Sequence, residues 1–238
     1  MNWLEQVWSR IVPDAGIALA GPPVLVVLVA AVVAVAVEPV WRVVRPGVTL
    51  VHELGHAGVG MLCGRRFTGF VLRGDMSGSA VTVGPARGLG RVLTTWAGYP
   101  APAVVGAVVV WLAVRGWSAP VLTGILAVLV TSALRVRSGL TALVVAVALV
   151  GAGALWWAGS PQLQAQVVVG VALVLIVGAW RHLGAVVAAK ERAVSDPGVL
   201  ARLTRLPRAV WNATFALVLG WATWVAGSAV LDASGTLR

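Results

Sequence analysis

Long runs of apolar residues, broken only by short clusters of arginine, recur from Pro22 to Leu231 and leave this chain few ways to fold. A run of about 20 such residues crosses a hydrocarbon core as a helix, because a backbone in lipid must satisfy its own hydrogen bonds. With 59% hydrophobic and 11% charged residues, and a mean hydropathy of +0.93, an ordinary soluble domain is excluded. The runs fall near 22–37, 47–63, 91–114, 119–136, 139–158, 163–182 and 208–230. The expected fold is an all-α polytopic membrane protein, one domain over 1–238 with about seven transmembrane helices and the lipid bilayer as its solvent.

The breaks between runs carry their own information. Glu38-Pro39 and Arg42 through Pro46 are expected to turn the first span into the second, since proline removes a backbone donor. Gly98-Tyr99-Pro100 is expected to kink the third. Gly55, Gly60 and Gly64 read as flat places for close packing. After the second span, two β-branched and aromatic runs within 65–83 flank Gly74-Asp75-Met76-Ser77-Gly78, the pattern of a β-hairpin. In 183–207 the sequence suggests a helix continuing to Val194, a break at Ser195-Asp196-Pro197-Gly198, and a short helix ending before Pro207. Residues 1–20 lack a signal-peptide pattern, and Trp3, Leu4, Val7, Trp8 and Ile11 recur at the spacing of a short interfacial helix.

A net charge of +10 can signal nucleic acid, but these charges are scattered through the breaks and act as topology signals instead. With seven alternating spans, fourteen Lys and Arg share a side with Arg10, the hairpin and the 183–207 segment, and four lie opposite. That excess places the N-terminus, hairpin and 183–207 in the cytoplasm. Arginine outnumbers lysine 17 to 1, a composition that suits a GC-rich bacterium and hence its plasma membrane. The single cysteine, Cys63, excludes an intrachain disulfide and a thiolate-based zinc site.

Within the second run stands His52-Glu53-Leu54-Gly55-His56. On a helix, residues i and i+4 share a face, so both imidazoles can reach one metal ion while Glu53 addresses a water beside it. With three His and four Glu in the chain, chance would produce this pentapeptide roughly 4 times in 10,000. Ionisable groups inside an apolar span are expensive and point to function. A catalytic zinc ion takes three protein ligands, and the third is open among several residues. His182 lies at the end of a span, where a headgroup-level role also suits it. Asp75 sits on the hairpin turn, where aspartate is favoured for local hydrogen bonds. Asp196, in its Asp-Pro-Gly, combines the inferred cytoplasmic side with a break that allows re-entry, and could equally cap the following helix, with Asn212 helping to satisfy that backbone.

From about Thr49 to Trp211 the chain resembles the site-2 protease family of intramembrane zinc metalloproteases, most closely its compact bacterial, M50B-like branch without PDZ or CBS domains. The resemblance rests on the embedded His-Glu-Leu-Gly-His, the hairpin after it and the late Asp-Pro-Gly. It implies Zn2+ held by His52, His56 and a distant aspartate, for which Asp196 stands in place, and Glu53 as the catalytic base. The family's usual Asn-Pro-Asp-Gly or Leu-Asp-Gly is replaced here by Asp196-Pro197-Gly198. The expected activity is hydrolysis of a transmembrane protein or peptide substrate, with no nucleic-acid partner. A metal-binding membrane protein without catalysis, or a transporter, is the alternative, although no inverted repeat supports a transporter.

Overall fold

The structure, a computed structural model, describes residues 3–14, 22–73, 78–189 and 195–233. Its elements in chain order are α1 (Trp3–Ser9), α2 (Pro22–Ala36), α3 (Glu38–Leu62), β1 (Arg66–Leu72), β2 (Gly78–Val83), α4 (Leu89–Trp96) and α5 (Pro100–Ala113). Then follow α6 (Ser118–Ala133), α7 (Gly139–Ala158), α8 (Pro161–Ala188), α9 (Asp196–Thr204) and α10 (Arg208–Ala233). α7, α8 and α10 are each long and apolar enough to cross a membrane, the bent pairs α2–α3 and α4–α5 bring the count to five, and α6 is a shorter apolar helix. Side chains such as Leu143, Val147, Val150, Leu217 and Trp221 point outward, as lipid-facing residues do.

α8 is the central post, packed by α2, α5, α6 and α10. Small residues let these helices approach: Ala103 and Ala107 of α5 meet Ala172, Ile176 and Ala179 of α8 in one buried cluster with Phe215 and Leu219 of α10. Between helices in lipid, such close van der Waals packing replaces the aqueous hydrophobic effect.

Three breaks fall elsewhere than the sequence suggests. The turn expected over 38–46 is a single residue, Val37, and α3 runs unbroken through Pro46. Pro39 lies in the first helical turn, where its missing N–H leaves nothing unsatisfied, and the axis bends by 96° between α2 and α3. α8, expected to continue to Val194, ends at Ala188 with Ala189 already extended, while residues 190–194, including Glu191, lie outside the described residues. Helix α9 begins at Asp196 itself, with Pro197 in its first turn and Ser195 as the cap residue, so the break precedes the Asp-Pro-Gly. The kink at Gly98-Tyr99-Pro100 is present, a 63° bend between α4 and α5. Gly64 is not a packing surface: at φ +74° it is the left-handed residue that ends α3, with Arg65 N–H donating to the Gly60 carbonyl at 2.9 Å.

Among the described residues the candidate spans number three to five, with α6 a shorter apolar helix, where the apolar runs suggest about seven. α2 runs alongside α8 in the same direction, since Val27 lies beside Gly170 and the Val35 carbonyl accepts from Arg181. The backbone at Arg10 and Asp14 meets the far ends of α7 and α5, through Trp156 and Gly116. The N-terminal segment therefore sits at the end of the bundle opposite the hairpin, and α2 with α3 makes one bent passage between the two ends.

The hairpin pairs β1 and β2 antiparallel, with a bulge between Phe67 and Gly69; its tip, with Asp75, lies outside the described residues. Phe70 and Leu72 are buried with Leu50 of α3 and Val145 of α7. Phe70 donates to Arg135 O at 3.1 Å and accepts from Arg137 N at 3.2 Å, so the outer edge of β1 is occupied. Both backbone groups of Phe70 thus face away from β2, which makes its pairing with Ala80 the non-hydrogen-bonded kind. The free N–H and C=O of Ala80 point out of the sheet, toward α3.

Candidate metal centre

One face of α3 carries Arg45, Thr49, His52, Glu53 and His56, spaced three or four residues apart, and all five line a cavity of about 550 Å3. On the flank next to the histidines Gly55 backs against Ala97 and Ala101 of the α4–α5 bend. Across the cavity stand Tyr99, His182 of α8 and Asp196 of α9.

His52, His56 and Asp196 converge. Their ligand atoms form a nearly equilateral triangle: His52 Nε2 to His56 Nε2 is 3.1 Å, and each nitrogen is 3.2 Å from Asp196 Oδ2. Ligand atoms about 2.0–2.1 Å from a tetrahedral zinc ion stand roughly 3.3 Å apart, so two imidazoles and one carboxylate at this spacing fit zinc in chemistry and in size. The tautomer fits as well. His56 Nδ1 lies 2.7 Å from the Thr94 carbonyl, which can only accept, so the proton sits on Nδ1 and Nε2 offers its lone pair. The His52 ring is fixed edge-on by Tyr99, at 4.9 Å between centroids, and Tyr99 in turn stacks on Phe215. A Cβ at Gly98 would overlap Nε2 of both histidines, so the bend must carry glycine where it passes the triad.

Glu53 stands beside the triad without joining it. It is only 3% exposed, its carboxylate fills the space a side chain at Gly78 would need, and it accepts a hydrogen bond from the backbone of Ala80. Oε2 is buried without a partner. One oxygen oriented by a strand and one left free is the disposition a base requires.

The other candidates separate from the triad. Asp75 lies outside the described residues. Glu38 is paired with Arg42 and Arg181, and Cys63 is at the far end of α3, beside Gly90. His182 lines the cavity but contributes no atom to the triangle. Ser195, not Asp196, holds the cap position of α9, and Asn212 Oδ1 is buried with no hydrogen-bond partner, so it does not satisfy the 195–198 backbone. The sequence gives no sign of Thr94 or Ala80, and it shows Gly98 only through the Gly98-Tyr99-Pro100 kink, not as the residue against the two histidines.

A bundle of apolar helices with two histidines of an H-E-x-x-H helix set against a distant carboxylate defines a class, the membrane metallopeptidases. The Peptidase M50B-like family model matches residues 25–226, and the chain belongs to that family. It is thereby a membrane metallopeptidase of the site-2 protease kind, among peptidases that are zinc metalloproteases. No curated protein and no solved structure matches the chain.

Proposed function

We propose that this protein is an intramembrane zinc endopeptidase that hydrolyses peptide bonds of membrane-spanning substrates, with His52, His56 and Asp196 as zinc ligands and Glu53 as general base. The observation that carries the reading is the 3.1–3.2 Å triangle of Nε2, Nε2 and Oδ2 with the unpartnered Glu53 Oε2 beside it. Zinc held there supplies a Lewis acid for the scissile carbonyl and makes water acidic enough to attack near neutral pH. Glu53 takes the proton of the attacking water at Oε2 and returns it to the amide nitrogen as the C–N bond breaks. The Ala80 N–H keeps the carboxylate turned toward the cavity throughout. The Thr94 carbonyl holds His56 in the ligating tautomer. A helical substrate hides its carbonyls, so it must unwind locally, and the outward edge of β2 is suited to hold it extended.

Purified protein is expected to carry about one zinc per chain, lost in a His52→Ala, His56→Ala double variant, and to cut a membrane-embedded reporter in a chelator-sensitive way. Equal zinc in wild type and double variant, by elemental analysis, would overturn the site. Zinc bound without any cleavage would favour the non-catalytic alternative.

The same reading places the protein in a bacterial plasma membrane with six crossings, one fewer than the apolar runs alone imply. The hairpin and the 195–206 segment are cytoplasmic, and the N-terminus lies outside with Gly116. With α2 and α3 as one passage, Arg42 and Arg45 lie along it, Arg42 on the same Glu38 that Arg181 holds, so moving Arg10 across leaves thirteen basic residues on the cytoplasmic side against three outside. In a Cys63→Ala background, cysteine at exposed Leu206 is expected to react only from the cytoplasm, and cysteine at exposed Trp117 only from outside. The reverse pattern would invert the orientation, and a shared side would break the crossing count.

A further inference from the structure

The cavity holds positive charge that hydrolysis at the triad does not use. Arg45, on the α3 face one helical turn before Thr49, and His182 of α8 both line it, as does Arg73 at the end of β1. α8 crosses α3 at Gly178, where an added Cβ would meet Val48 Cγ2 at 2.9 Å, and this crossing sets Arg45 and His182 on the walls of the same cavity. The His182 ring is set edge-on to Trp41 at 5.5 Å. Arg45 Nε and His182 Nε2 are both buried without a hydrogen-bond partner among the described residues. Among the described acids, Glu38 is paired with Arg42 and Arg181 and Asp196 with the two histidines, while Glu53 takes one hydrogen bond from Ala80 and keeps Oε2 for the proton of the attacking water. A buried guanidinium N–H with no acceptor is costly, and such groups in folded proteins are commonly answered by a ligand or water.

We propose, building on the peptidase reading above, that Arg45 and His182 form a carboxylate subsite that selects substrates bearing an acidic group near the scissile bond. Arg45 supplies the charge and a donor fork suited to a carboxylate, and His182 Nε2–H supplies a second donor from the facing helix. Arg73 adds to the positive potential of the same cavity and steers the acidic segment in. The carboxylate is that of an Asp or Glu side chain or of the substrate's own C-terminus.

The test uses the full-length, zinc-loaded protein in detergent micelles and peptides that differ only in Asp or Glu against Asn or Gln at each position, with free or amidated C-termini. One acidic placement is expected to raise kcat/KM by at least about tenfold, mainly through KM. In Arg45→Gln that ratio should fall to near one, and His182→Gln should lower it. Loss of preference on amidation rather than on Asp→Asn assigns the carboxylate to the C-terminus. A second readout needs no turnover: acetyl-glutamate amide should raise the unfolding temperature of wild type more than acetyl-glutamine amide, and the gap should vanish in Arg45→Gln. Cleavage with no acid preference, or a preference that survives Arg45→Gln, overturns the subsite and leaves the peptidase standing. An Arg45-dependent glutamate shift with no cleavage does the opposite. Stabilisation by inorganic phosphate or a phospholipid headgroup, with none by the glutamate probe, overturns it in favour of a lipid site.

Discussion

Glu53→Gln is expected to leave about one zinc on each chain and to lower turnover by ~10²–10⁴-fold, the range a positioned general base contributes. Glutamine has nearly the shape of glutamate, so the contact with Gly78 and the hydrogen bond from Ala80 both survive. The change is confined to the ability of Oε2 to take a proton. Glu53 stands outside the triangle of His52, His56 and Asp196, which is why metal content should not follow activity. Elemental analysis and a cleavage assay on the same preparation separate the two quantities. If zinc falls along with turnover, Glu53 is a ligand and the assignment of Asp196 must be reopened. If turnover survives, the proton goes elsewhere, and the buried free oxygen has no catalytic meaning.

Much of this arrangement could be read from the sequence because it depends on local spacing. The i, i+4 histidines, the uncharged stretch that becomes α7 over Gly139–Ala158, the Gly-Tyr-Pro bend and the alternating hairpin strands are all short-range patterns. What escaped depends on the partner a residue meets. Of the expected turn over 38–46, the Glu38-Pro39 signal marks the bend, which falls at Val37 with Glu38 paired to Arg181 of α8, while Pro46, a strong breaker on paper, is absorbed inside α3. The polar pair Arg181-His182 read as a headgroup-level end of a span, but the two side chains turn inward against Trp41, and the helix that was expected to run on to Val194 stops at Ala188. The groups that steady the site, the Thr94 carbonyl and the Ala80 N–H, are backbone atoms, and every residue has them. Only the fold says which ones reach the histidine and the glutamate.

Asp196→Asn tests the one ligand that the local pattern left open. The aspartate is the first residue of α9, 140 positions beyond His56, and its Oδ2 lies 3.2 Å from both ring nitrogens. Two roles compete for such a residue: a ligand needs the negative charge, whereas a helix cap needs only a short side-chain acceptor, which asparagine supplies as well. The geometry favours the first, since Ser195 stands at the cap position and Asp196 Oδ2 is directed at the histidines. The variant should therefore fold, with helix content and melting close to wild type, yet bind zinc at least ~100-fold more weakly, since even groups that only support a ligand cost 10–100-fold when lost. Cleavage should disappear at ordinary zinc and return in part when zinc is raised, a rescue that a merely structural lesion would not show. Full zinc occupancy with full cleavage in Asp196→Asn would remove Asp196 from the site. His182, which faces the same cavity on α8, would then be the next side chain to replace.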